Sequence, residues 1–179
     1  MDVADKVVLI TGAARGLGFE YARSLGAAGA YIVAGDVADC ADAVAAAGSR
    51  AIGVRLDVTD IASADSMAEL AMGKFGRIDA LINNAALYGT LRGGRFNQIA
   101  EADWDATMAV NVKGIWHCCK AVVPAMRQSG GGSIINVASG WNTHAVWARP
   151  ARWSSPATSP TAPRPSPRLA PTLSASRSM

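Results

Sequence analysis

The sequence predicts an α/β fold built on a doubly wound parallel sheet. Five short apolar runs, at residues 6–10, 31–35, 51–56, 78–82 and 133–138, have the length and composition of buried strands. The segments between them repeat apolar residues every three or four positions, the period of a helix with one packed face. Glycines and polar residues punctuate the joins. Strands that alternate with helices form right-handed βαβ units, which set their strands parallel.

The first run leads directly into Thr11-Gly12-Ala13-Ala14-Arg15-Gly16-Leu17-Gly18, and a helical pattern follows to Ala28. In that strand–turn–helix setting, Gly12 and Gly16 let the backbone turn sharply and approach a pyrophosphate, with free N–H groups and the helix dipole facing the anion. Taken alone, the same pattern also describes a tight connection with no ligand. Phe19, Ala22, Leu25 and Ala28 mark the packed side of the helix, and Gly29 is its C-terminal cap. The second strand finishes on Asp36, an alanine-rich helix over residues 39–47 stops at Gly48, and the third strand finishes on Asp57-Val58. Thr59 or Asp60 caps a helix that runs to Phe75.

The fourth strand ends in Asn83-Asn84-Ala85-Ala86, and residues 87–99 read as a loop over the strand ends. Residues 101–128 are helical in pattern, with Trp104, Met108, Val112, Ile115, Cys119, Val122 and Met126 forming a mostly core stripe and Pro124 loosening the last turns. Trp104 and Trp116 are read as core or interface. Gly130-Gly131-Gly132 breaks the chain before the fifth strand, which ends on Ser139-Gly140. Asp36, Asp57, Asn84 and Ser139 thus all stand where strands end, the edge of an open sheet at which ligands bind.

At 179 residues and 50% hydrophobic content the chain suffices for one domain with a core. No leader-like or membrane-spanning pattern is visible, and the three cysteines, Cys40 and the pair Cys118-Cys119, have no disulfide or metal spacing. A soluble protein of the reducing cytoplasm is expected. The pI near 9.0 comes from one end. All 14 acidic residues precede Trp141, whereas residues 141–179 hold five Arg and no acid. No basic face with interleaved aromatics occurs in the body, which argues against nucleic acid. Consecutive helical residues diverge by about 100°, so His117-Cys118-Cys119 cannot share a metal ion and reads as helix surface and core filler. His144 near Ser139 has no acidic orienter, so a serine hydrolase is not expected.

Residues 141–179 hold seven Pro, seven Ser, seven Ala and three Trp, with no Gly, Asp, Glu, Lys, Tyr, Phe, Ile or Cys. Neither structural period is found there, so residues 1–140 are expected to form the domain and residues 141–179 a disordered tail. Such composition fits a GC-rich gene read out of frame; a natural Pro/Ser/Arg linker is the alternative.

Asp36 lies about twenty residues beyond the glycine turn, where a carboxylate accepts from the adenosine ribose hydroxyls. Its charge would repel a ribose phosphate and favours NAD over NADP, although Arg15 could pair with such a phosphate. A turn or helix-capping role is the other reading of Asp36.

With Thr11 to Gly18, Asp36, Asp57-Val58, Asn83-Asn84-Ala85-Ala86, Asn111-Val112-Lys113-Gly114 and Ser133 to Ser139 in order and at matching spacing, the chain resembles the compact short-chain dehydrogenases/reductases over residues 3–140. The resemblance implies a Rossmann-like domain, truncated after its fifth strand, and an oxidoreductase using NAD(H) on a secondary alcohol or ketone. It implies that Gly12, Arg15, Gly16, Leu17 and Gly18 line the pyrophosphate and ribose, Asp36 the adenosine ribose, and Asp57 and Val58 the adenine. Asn84 and Ala85 would lie under the nicotinamide ribose and brace the strand end. Ser139 would donate to the substrate oxygen, and Asn111 would bend its helix and seat a relay water. In the family a tyrosine about a dozen residues past the serine, with a lysine one turn later, completes catalysis, but here the last of each is Tyr88 and Lys120. The chain is therefore expected to be aggregation-prone and nearly inactive. Its outward helix face is a candidate dimer surface, because family members assemble as homo-oligomers. A non-catalytic dinucleotide-binding or interaction module, with a partner-binding tail, is the alternative.

Overall fold

The computed structural model describes residues 3–88 and 95–138. The expected tail, residues 89–94 of the expected loop, Ser139 and His144 lie outside them. Five parallel strands, β1 (Val7–Thr11), β2 (Tyr31–Asp36), β3 (Ala51–Arg55), β4 (Ala80–Asn83) and β5 (Ser133–Asn136), stand in the order β3-β2-β1-β4-β5. Between them run α1 (Gly16–Ala27), α2 (Ala41–Ala47), α3 (Ile61–Phe75), α4 (Glu101–Met108) and α5 (Gly114–Gln128). No described helix is long and apolar enough to cross a membrane.

Side chains alternate across a strand, so β1 feeds two cores. Val7 and Leu9 join Val33, Met67, Ala71, Leu81, Cys118 and Val122 in one cluster, which includes residues of α3 and α5. Val8 and Ile10 join Ala22, Ile32, Ala34, Ala43 and Ala47 in the other, which includes residues of α1 and α2. Local chemistry sets the helix ends. Asp60 accepts from the Ala62 N–H to cap α3, Gly76 closes it in the left-handed conformation, and Gly29, at φ 91°, follows α1 with its N–H donated to the Gly26 carbonyl. Asp39 takes the Ala41 N–H, so α2 begins two residues later than its sequence suggests.

Residues 101–128 depart from the expected single stripe. A π-helical turn, Ala109–Lys113, separates α4 from α5. A wider turn shifts the angular register of the residues beyond it, so positions equally spaced in sequence do not stay on one face. Trp104, Met108 and Val112 are exposed, as is Trp116, while Val122 and Met126 are buried. The first half of the apolar stripe is surface and not core.

Candidate functional site

The sheet order places β2 and β3 on one side of β1 and β4 and β5 on the other, so the connections part between the carboxyl ends of β1 and β4. A crevice at such a switch point is where open α/β sheets bind ligands. Thr11, the buried last residue of β1, is its hub. The Thr11 hydroxyl oxygen accepts from the N–H groups of Asn84 and Ala85, both at 3.0 Å. Asn84 Nδ2 returns two bonds, to the carbonyls of Thr11 at 3.1 Å and Gly12 at 3.0 Å. These bonds tie the glycine turn to the end of β4. Thr11 had no role assigned, although a polar residue closing an apolar strand just before a glycine turn is a visible signal.

The turn fits an anion. Gly12 and Gly16 have φ of 68° and 60°. A Cβ on Gly12 would stand 2.8 Å from Ala85 Cα, and one on Gly18 would stand 2.1 Å from the Gly12 carbonyl oxygen, so α1 can start this close to the sheet only on glycine. Arg15 makes no side-chain cap, and no acidic residue occupies the first turn of α1. The first N–H groups of a helix lack intrahelical partners, and here no side chain of the cap takes them, which leaves the geometry of a phosphate cradle. Arg15 and Leu17 are exposed beside it.

Asp36 closes β2 with both carboxylate oxygens engaged. Oδ2 accepts from the Ala14 N–H and Oδ1 from the Ala38 N–H, each at 3.0 Å. The side chain therefore braces the glycine turn, as its turn-forming reading expects. A carboxylate offers about four acceptor positions, so it keeps capacity for a pair of hydroxyls. At the end of β3, Asp57 Oδ1 accepts from the Thr59 hydroxyl at 2.7 Å and N–H at 2.9 Å. These bonds hold its carboxyl below the usual carboxylate range. Val58 is buried beside α5.

Asn111 lies inside the π turn. Its Oδ1 accepts from the Leu87 N–H at 2.8 Å and its Nδ2 donates to the Leu87 carbonyl at 3.1 Å. The residue expected to bend its helix thus sits at the irregularity and fastens it to the chain just past Asn84-Ala85. Thr11, Gly12, Ala85 and Asn84 form one bonded set, Asp36 joins it through Ala14, and Asp57-Val58 stands apart at its own strand end. His117, expected as surface or filler, is buried, with Nδ1 2.9 Å from the Val58 carbonyl oxygen. Burial pushes the neighbouring Cys118 thiol up to about 12, which leaves it inert at neutral pH.

A sequence model of the family described as short chain dehydrogenase matches residues 6–151. The chain belongs to the short-chain dehydrogenase family. The matched stretch runs past Gly140 into the compositionally distinct end of this short-chain dehydrogenase chain. It is 41% identical over 139 residues to D-threitol dehydrogenase of Mycolicibacterium smegmatis, covering 75% of this chain and 52% of that protein. It is 39% identical over 142 residues to galactitol 2-dehydrogenase of Agrobacterium fabrum, covering 78% and 54%. A crystal structure of 3-ketoacyl-(acyl-carrier-protein) reductase from Brucella melitensis complexed with NADH superposes with a TM-score of 0.72 at 29% identity, over 76% of this chain and 58% of that one. This short-chain dehydrogenase chain spans about half the length of the curated relatives it matches.

Proposed function

We propose that this chain is the cofactor-binding part of an oxidoreductase that moves hydride between NAD(H) and a secondary alcohol or ketone. The observation that carries the reading is Asp36, a carboxylate held by two backbone N–H groups at the end of β2, next to a glycine turn that fits a pyrophosphate. A fixed negative charge there accepts ribose hydroxyls and repels a 2′-phosphate, which favours NAD over NADP. The relatives, two polyol dehydrogenases and a reductase crystallised with NADH, agree with this class.

In this reading Gly12, Arg15, Gly16, Leu17 and Gly18 hold the pyrophosphate and its ribose, Asp57 and Val58 flank the adenine, and Asn84 and Ala85 underlie the nicotinamide ribose. NAD(H) supplies or accepts the hydride. Ser139 donates a hydrogen bond to the substrate oxygen and Asn111 serves the proton relay. Residues 141–179 contain neither Tyr nor Lys, so no tyrosine or lysine of that stretch exchanges the substrate proton. General acid–base catalysis is worth roughly 10²–10⁴-fold, and turnover by this chain is expected to be low accordingly. We ascribe the tail to an out-of-frame reading. A tyrosine followed four codons later by lysine in a shifted frame after codon 140 supports that, and the same tail in independent isolates of the gene refutes it. Pairing of copies through the outward face of α4 and α5, and a cytoplasmic location, belong to the same reading.

The cofactor assignment is tested by thermal shift. NAD is expected to raise the melting temperature more than NADP, and Asp36→Ala to remove the response. A wild-type chain that responds to neither dinucleotide refutes it.

A further inference from the structure

We propose that His117 is a positioning residue for the adenine-side turn, an inference that rests on the NAD(H) reading. A carbonyl oxygen only accepts, so the 2.9 Å contact with Val58 requires that His117 Nδ1 carry the proton and donate it. His117 is 4% exposed, so water does not compete for the bond. One helical turn earlier on the same side of α5 is Gly114, where a Cβ would stand 2.6 Å from Val58 Cγ2 and 2.9 Å from Val58 Cβ. Gly114 thus leaves the space that the Val58 side chain fills, and His117 holds the Val58 carbonyl.

On its other side the turn is held by its own polar groups. Asp57 Oδ1 takes the Thr59 N–H and hydroxyl, and the Asp57 N–H donates to Ser63 Oγ at 3.0 Å. The peptides on either side of Asp57-Val58, the two residues assigned to the adenine, are therefore fixed, the one before from α3 and the one after from α5. Asn111 extends the arrangement. Three residues before Gly114, it grips the main chain of Leu87, just beyond the residues assigned to the nicotinamide ribose. The stretch from Asn111 to His117 touches both loops that a bound dinucleotide would span, and it sets their separation. Filling the core would need only an apolar side chain at position 117. The buried donor on Val58 serves the turn.

Without that donor the Val58 carbonyl is free to rotate, and the binding-competent turn becomes one of several conformers. Apparent affinity falls in proportion to the competent fraction. The test is calorimetric titration of the whole chain with ADP and with NAD, for the wild type, His117→Leu, His117→Asn and Gly114→Ala. A single buried hydrogen bond is worth about a five-fold change in an equilibrium, so His117→Leu is expected to weaken ADP and NAD alike, by up to about five-fold. His117→Asn, whose Nδ2 stands near the place of Nδ1, restores affinity to within about two-fold, since the donor is what counts. Amide exchange at Thr59 and Asp60 quickens in the leucine variant and recovers in the asparagine one. If His117→Leu does not fold, Gly114→Ala tests the same seat by displacing Val58, and is expected to weaken ADP binding too. Wild-type affinity in every folded variant overturns the role of His117 and leaves the cofactor reading standing. A wild-type chain that binds neither ADP nor NAD overturns both.

Discussion

β1 and β5 are parallel strands of one sheet, each with two adjacent large apolar residues at its centre. Leu9 and Ile10 are fully buried, whereas Ile134 is 38% and Ile135 49% exposed. Residue type does not separate them; cover does. β1 has a strand on each side and contacts α1 and α3, while β5 pairs only with β4 among the described residues. An apolar run becomes a buried strand only when layers exist on both faces to bury it. The same division runs through the candidate site. The part tied together by Thr11 rests on the covered strands, and Ser139 follows the exposed one.

The contrast is sharpest in the core. Leu9→Ala is expected to cost about 3–4 kcal/mol in urea unfolding, the range for emptying a well-packed leucine site. A cost under about 1 kcal/mol would mean that β1 is not a covered strand. Next in size is Asn84→Ala. It removes the donor to the Thr11 and Gly12 carbonyls in a part-buried setting and is expected to cost about 2 kcal/mol. Asn84→Asp, which keeps the size but loses the donor, should cost at least as much.

A third test concerns the opposite edge of the sheet. Asp79 Oδ2 accepts from the Val7 N–H at 3.0 Å and from Arg77 Nε at 2.8 Å, fastening the starts of β1 and β4. Burial alone would raise the Asp79 carboxyl, but Arg77, the Val7 N–H and Lys6 together hold it below the usual range. A carboxyl depressed in the folded state contributes fully above its unfolded value of about 3.9, and that contribution is lost as pH falls through the folded value. Wild-type stability should therefore drop below about pH 4, and Asp79→Asn should flatten the profile there while costing about 1–2 kcal/mol at pH 7. Parallel profiles for the two proteins would show that this carboxylate does not fasten β1.

Most of the frame was legible because strand and helix signals are local. The five apolar runs, the Asp60 cap and Gly48 at the end of α2 all act within a few residues of themselves. What was not legible depends on contacts across the chain or on an irregular period. The Val58–His117 bond joins residues 59 apart in sequence, and only the unexplained Gly114 in a helical pattern hinted at a close neighbour there. The π turn defeated a count that assumes 3.6 residues per turn, which is why one mostly core stripe was expected to run from Trp104 to Met126. In the site, the glycine turn, Asp36 and Asn84 were readable as motifs. That Asp36 binds the Ala14 N–H, and that Thr11 joins two strand ends, emerges only from the sheet order.

The smallest expected change in stability is the most direct check on β5. Ile135 is half-exposed at the sheet margin, so Ile135→Ser gives up only part of a side chain's burial and should alter unfolding free energy by about 1 kcal/mol or less. Its effect on association should be much larger. Among the described residues β5 is paired on one side only; an unpaired strand edge with apolar side chains is a template for pairing with another chain, and a hydroxymethyl in place of a butyl group weakens that template without touching the covered core. Light scattering of the concentrated protein should fall, most of all for Ile134→Ser/Ile135→Ser together, while the melting temperature stays nearly constant. If instead the melting temperature collapses, β5 is covered in solution and the contrast with β1 disappears. Unchanged scattering at constant melting temperature would locate self-association elsewhere, and the outward row of Trp104, Met108, Val112 and Trp116 would be the next surface to alter, because it is the other apolar face that the described residues leave open.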